Sequence, residues 1–152
     1  MVDRLPCAQS EVPRDVPGDA CFAASDGKAP TVVDWKDIPN EAVSDPNLTT
    51  HSGTMRQSWV GDKVMLTRVV VKPNSRGKPH FHPAEQVSMI LRGGVRVTLN
   101  GAERIAKAGA IVHIPGNAVH MFEILDEETE ILDVYTVLSS VDDLKKRYPP
   151  AA

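Results

Sequence analysis

Lys78-Pro79-His80-Phe81-His82-Pro83-Ala84-Glu85-Gln86 decides how the rest of the chain is read. His80 and His82 are two apart, so on an extended strand both imidazoles leave by the same face. Gln86 lies four beyond His82 and returns to that face once the chain settles into strand, while its neighbour Glu85 turns away. His120, further along on a second strand, can add a fourth ligand. Imidazole nitrogens with one amide oxygen suit a divalent transition metal such as zinc, iron, manganese or nickel. The competing reading of paired histidines beside prolines is a solvated turn.

Taken with the residues around His120, this stretch resembles the two motifs of the cupin family. The first motif is filled by His80, His82, Gln86 and Gly93, the second by Gly109, Pro115, Gly116 and His120. The motifs span about residues 74–124, and the resemblance to a single-domain barrel extends over roughly 50–138. It implies an all-β cupin double-stranded β-helix (a jelly-roll barrel), a metal held by His80, His82, Gln86 and His120, and a homodimer.

The departures carry information. Asn74 and Asn117 stand where the motifs usually have glycine, the second glycine having slid to Gly116. Asparagine tolerates left-handed backbone better than other residues with a side chain, so both turns are expected to survive. Gln86 occupies the usual glutamate position, as in a subset of cupins with an H-x-H-P-x-E-Q pattern. A neutral amide leaves the site one charge more positive than a carboxylate, which favours an anionic substrate. Ile124 replaces the family's late asparagine, and no function attaches to it.

The chain has 152 residues and a net charge of −3, with lysines and arginines dispersed. That length is one domain by size. No basic stripe points to nucleic acid or to a membrane surface. No apolar run is long enough to span a bilayer and no signal-peptide pattern opens the chain, so the expected location is cytoplasmic. Cys7 and Cys21 are expected to be free thiols in a reducing compartment.

Residues 1–30 hold Pro6, Pro13, Pro17 and Pro30 without periodicity, and read as an irregular or disordered arm. The barrel domain is expected over 31–148. Strands are expected at Thr31–Lys36, Met55–Val60, Val64–Val71, Gln86–Leu91, Val95–Leu99, Glu103–Ala106, before and after the Pro115 turn, and Glu130–Leu138. Gly61-Asp62 and Asn100-Gly101 are hairpin signals. Val141–Tyr148, acidic first and basic last, suits a short C-terminal helix. His51 reads as a loop histidine and His113 as a structural one, kept as a fringe ligand candidate. Arg68 is a rim charge or a lumen group, the rim reading being preferred. Met55, Gln57, Trp59, Met89, Met121 and Phe122 are candidate pocket residues.

A metal with an open position needs a partner to move protons. Asp133 and Tyr135, two apart on the last strand, are the catalytic candidates; the alternative is a hydrogen-bonded Asp133 and a core Tyr135. This tail resembles uronate-cyclising cupins, which carry Asp-x-Phe there, although their following arginine is Ser139 in this chain. Three functions stay open: a non-redox lyase, isomerase, cyclase or hydrolase acting on a small oxygen-rich anion; an Fe(II) dioxygenase; or a non-catalytic small-molecule binder. The first is preferred.

Overall fold

The computed structural model describes residues 31–42 and 54–136, all within the unit that begins at Thr31. The N-terminal arm, both cysteines, His51, Val137, Ser139 and the expected helix over 141–148 lie outside the described residues. Among the described residues there is no α-helix.

Among the described residues, nine strands make two antiparallel sheets. The first is ordered β1 (Glu41–Ala42), β2 (Met55–Val60), β3 (Val64–Val71), β9 (Thr129–Thr136), β4 (Gln86–Arg92) and β7 (Ile111–Ile114). The second is ordered β6 (Ala102–Lys107), β5 (Gly94–Leu99) and β8 (His120–Ile124). The expected strand over Thr31–Lys36 is replaced by a 3-10 turn, Trp35–Asp37. Asp34 caps that turn by accepting from the Lys36 amide, a local bond that competes with strand.

Alternation along the strands sets the inner face. Ile131, Asp133 and Tyr135 of β9 are buried beside Gln86, Ser88 and Ile90 of β4, with Val112 and Ile114 of β7 next to them. One apolar cluster joins Val71, Ile90, Ile114 and Ile131 of the first sheet to Val95, Val97, Ala106 and Ile124 around the second. The two sheets therefore face one another across a shared interior.

The turns keep the chain tight around this interior. Asn100 and Gly101 both have positive φ, 46° and 85°, as a two-residue hairpin between β5 and β6 demands. Asn74 and Asn117 have φ of 60° and 64°, so both asparagines take the left-handed conformation that their motif positions require. A bulge at Leu91 and a positive φ of 77° at Gly93 carry the chain from one sheet to the other.

Strand register corrects several placements. Met55, Gln57 and Trp59 pair with Val70, Arg68 and Leu66 on the outer face of the first sheet, and Met89 is on that face of β4. These four candidate pocket residues therefore do not line the interior. Arg68 faces outward too: its Nε donates to Glu130 at 2.5 Å and its Nη1 to Gln57 at 3.0 Å. No helix among the described residues is long and apolar enough to cross a membrane.

Candidate metal centre

The segment carrying His80 and His82 is not a regular strand. It is an extended run laid antiparallel along β8 by single backbone bonds. Ile124 donates to Ser75 O at 2.8 Å, Gly77 to Phe122 O at 2.9 Å, and His80 and His120 exchange bonds at 3.0 and 2.9 Å. Prolines on both sides of the His80–His82 pair remove amide donors, which keeps this run out of a full ladder. The extended geometry still brings both rings to one side.

The turn after β7 locks against the first motif. Asn117 donates its amide to His82 O at 2.7 Å. A Cβ on Gly116 would stand 2.5 Å from Pro83 O, so only glycine permits this approach. That is the physical reason the glycine sits at 116 while Asn117 takes the positive φ.

His80, His82 and His120 converge, with one ring nitrogen from each lying within 4.8 Å of the others. Ring centroids are 4.2 Å apart for His80 and His120, and 5.0 Å for His82 and His120. His82 and His120 are 5% and 1% exposed, and His80 is only partly buried. Two ligands about 2.1 Å from one ion stand roughly 3–4 Å apart, so small ring movements complete a metal geometry.

The hydrogen bonds say which ring atoms are available. Each Nδ1 faces a backbone carbonyl: Lys78 O at 2.9 Å from His80, Ala84 O at 2.9 Å from His82, and Ala118 O at 2.8 Å from His120. A carbonyl can only accept, so each Nδ1 carries the hydrogen and each neutral ring presents its Nε2 lone pair inward. His120 Nε2 is buried and has no hydrogen-bond partner among the described residues. An orphaned inward lone pair of this kind is what a metal would satisfy.

Gln86, 2% exposed, closes the floor of the cluster with Oε1 at 3.0 Å from His82 Nε2. Its nitrogen donates to Ser88 Oγ at 2.9 Å and to Asp133 Oδ1 at 3.2 Å. With His82 Nδ1–H directed at Ala84 O, His82 Nε2 and Gln86 Oε1 are two acceptors in contact. Such a pair needs positive charge beside it, either a metal ion or a second proton on the ring. The donor set therefore fits a divalent cation.

Charge in the cluster is controlled by burial. Burial pulls the His120 pKa down from 6.5 to about 4, opposed by the bond to Ala118 O and reinforced by His80 and His82. His120 is thus neutral, the ligating form, at pH 7. Asp133 is pushed from 3.8 up to about 6 by burial, while hydrogen bonds from Ser88, Gln86 and Tyr135 hold it down.

Both catalytic candidates lie in the interior. The Tyr135 ring stands 5.6 Å from His82, and its hydroxyl donates to Asp133 Oδ2 at 3.5 Å. Phe122 shares the His120 face, its ring 6.4 Å from that imidazole, whereas Met121 points to the other face of β8. His113 is corrected out of the ligand set: it is exposed on the outer side of β7 and pairs with Glu85 at 2.7 Å. Glu85 faces away from the cluster, as the alternation predicts. Ser88 is a residue that sequence reasoning missed, although its period-two spacing from Gln86 could have placed it on the same face.

Residues 67–135 match the cupin domain family. No curated protein matches the chain. Among solved structures, an RmlC-like cupin from Shewanella frigidimarina superposes with a TM-score of 0.62 at 17% identity, covering 76% of this chain and 96% of that one. A predicted oxalate decarboxylase from Thermotoga maritima gives 0.62 at 23% identity, covering 71% and 100%. The polyketide cyclase RemF from Streptomyces resistomycificus gives 0.61 at 23% identity, covering 80% and 95%. At these identities the likeness speaks to the fold. Sequence match, fold and the gathered histidines agree: this chain carries a cupin domain with a three-histidine site suited to a metal ion.

Proposed function

We propose that the protein is a metal-dependent cupin enzyme of the non-redox kind, a lyase, isomerase, cyclase or hydrolase acting on a small oxygen-rich anion. The observation that carries this is the contact between His82 Nε2 and Gln86 Oε1 at 3.0 Å, two lone-pair bearers packed beside the orphaned Nε2 of His120. His80, His82 and His120 through Nε2, with Gln86 through Oε1, are the ligands. A divalent ion bound there supplies Lewis acidity and acidifies a bound water. Because all four ligands are neutral, its double charge is not cancelled by them, which supports an anionic substrate.

His80 is the least buried ligand, so substrate enters from its side. Tyr135 is the group that meets the substrate's proton. Asp133 acts through Tyr135, accepting its hydroxyl at Oδ2. A decarboxylase prediction and a cyclase among the similar structures support the non-redox class by analogy of fold.

The test is elemental analysis of the purified protein beside His82→Ala, followed by oxygen uptake and by lyase and isomerase screens. About one zinc, nickel or manganese per chain, lost in the variant and without oxygen uptake, supports this reading. Iron with substrate-dependent oxygen uptake replaces it with a dioxygenase. A protein that takes up no metal is a binder built on the same fold.

A further inference from the structure

Ser88 and Asp133 are directly opposed in the β4–β9 register, in the row next to Gln86 and Tyr135. Ser88 Oγ donates to Asp133 Oδ1, while Gln86 Nε2 donates to both Ser88 Oγ and Asp133 Oδ1. Both amide protons of Gln86 are therefore consumed on one side, 2.9 and 3.2 Å away. Turning the amide over would put Oε1 against a carboxylate oxygen, two acceptors in a buried space. The only orientation left presents Oε1 to the histidines. Ser88 is fully buried and Asp133 is 7% exposed, so water does not substitute for either partner.

We infer that Ser88 and Asp133 are positioning residues that hold the Gln86 amide with its oxygen toward the metal. We infer also that the Asp133 carboxylate is the site's counter-charge, placed one residue behind a neutral ligand. This rests on the metal-enzyme reading above and adds to it a division of labour. Gln86 supplies the oxygen without charge, and Asp133 supplies the charge without ligation. A site built this way offsets one of the cation's two charges and leaves the coordinating atoms neutral toward an incoming anion.

A charge-exchange cycle tests it, using Gln86→Glu, Asp133→Asn and the double variant Q86E/D133N in the full chain. Cobalt(II) affinity is measured by competition with a chromophoric chelator, and the cobalt absorption spectrum reports ligand geometry. Partners behind a ligand typically change metal affinity by about 10–100-fold. Asp133→Asn is expected to weaken cobalt binding about tenfold or more and to alter the spectrum, because two facing amides no longer fix which atom points inward. Gln86→Glu is expected to bind less well than the double variant, because it sets two carboxylates against each other. In the double variant the carboxylate and the amide change places, and affinity is expected to return to within about tenfold of the parent.

Thermal melts of the metal-free forms separate loss of fold from loss of metal. If Asp133→Asn does not fold, Ser88→Ala, which removes one amide acceptor and keeps the charge, is expected to weaken cobalt about tenfold. Additive effects without rescue, a parent-like spectrum in Asp133→Asn, or parent affinity in Ser88→Ala overturns the inference and leaves the metal reading standing. A parent protein that takes up no cobalt overturns both.

Discussion

His80 and His120 pair as an isolated antiparallel bridge, exchanging amide-to-carbonyl bonds of 3.0 and 2.9 Å. The bridge is made by main chain, so the two motifs stay together whatever side chains they carry. His120→Ala should therefore keep a cooperative fold while losing the metal. In the parent, a divalent ion at 100 times its Kd should add about 2.7 kcal/mol to stability, and this gain should be absent from the variant. Thermal melts with and without metal and chelator read both.

Gly116→Ala should damage the site through its backbone. The added methyl carbon would meet Pro83 O at 2.5 Å and push the second motif off the first. Overpacking of this kind costs about 1–3 kcal/mol, and metal affinity should fall with it. Gly101→Ala is the control: nothing lies within 4 Å of its Cβ, but φ is +85°. It should cost about 1 kcal/mol through strain alone and leave metal binding unchanged.

Two buried groups should oppose each other in the metal-free protein between pH 4 and 6.5. Asp133 has its folded pKa raised to about 6 from 3.8, so its favourable contribution is present below 3.8 and is lost as pH rises through about 6. His120 has its folded pKa lowered from 6.5 to about 4, so its contribution is present above 6.5 and is lost as pH falls through about 4. Each displacement corresponds to about 3 kcal/mol. Denaturant melts of metal-free Asp133→Asn should show stability rising from pH 4 to 6.5, and those of His120→Ala should show it falling from pH 4 to 6. The parent should change less than either.

Arg68→Ala should leave metal affinity and turnover unchanged. Its guanidinium lies on the outer face, bonded to Glu130 and Gln57, and its side chain is 33% exposed. A partly exposed ion pair contributes at most about 1 kcal/mol, so the melting temperature should fall only slightly. Loss of substrate affinity in this variant would return Arg68 to the interior.

Consecutive residues were enough to read the strand boundaries of β2 and β3, the Asn100-Gly101 hairpin and the divergence of Gln86 from Glu85, while the grouping of His80 and His82 with His120 rested on their resemblance to the two cupin motifs. These are local: alternation, turn chemistry and a motif's spacing are written in consecutive residues. The tertiary structure alone decided which face of each strand looks inward. Met55, Gln57, Trp59 and Arg68 show this, since a period of two yields two faces without saying which one is covered. It alone set Ser88 opposite Asp133, because register between distant strands depends on how the two sheets close over their shared core. It alone gave His120 its low pKa and its orphaned nitrogen, because burial is a property of the assembled interior.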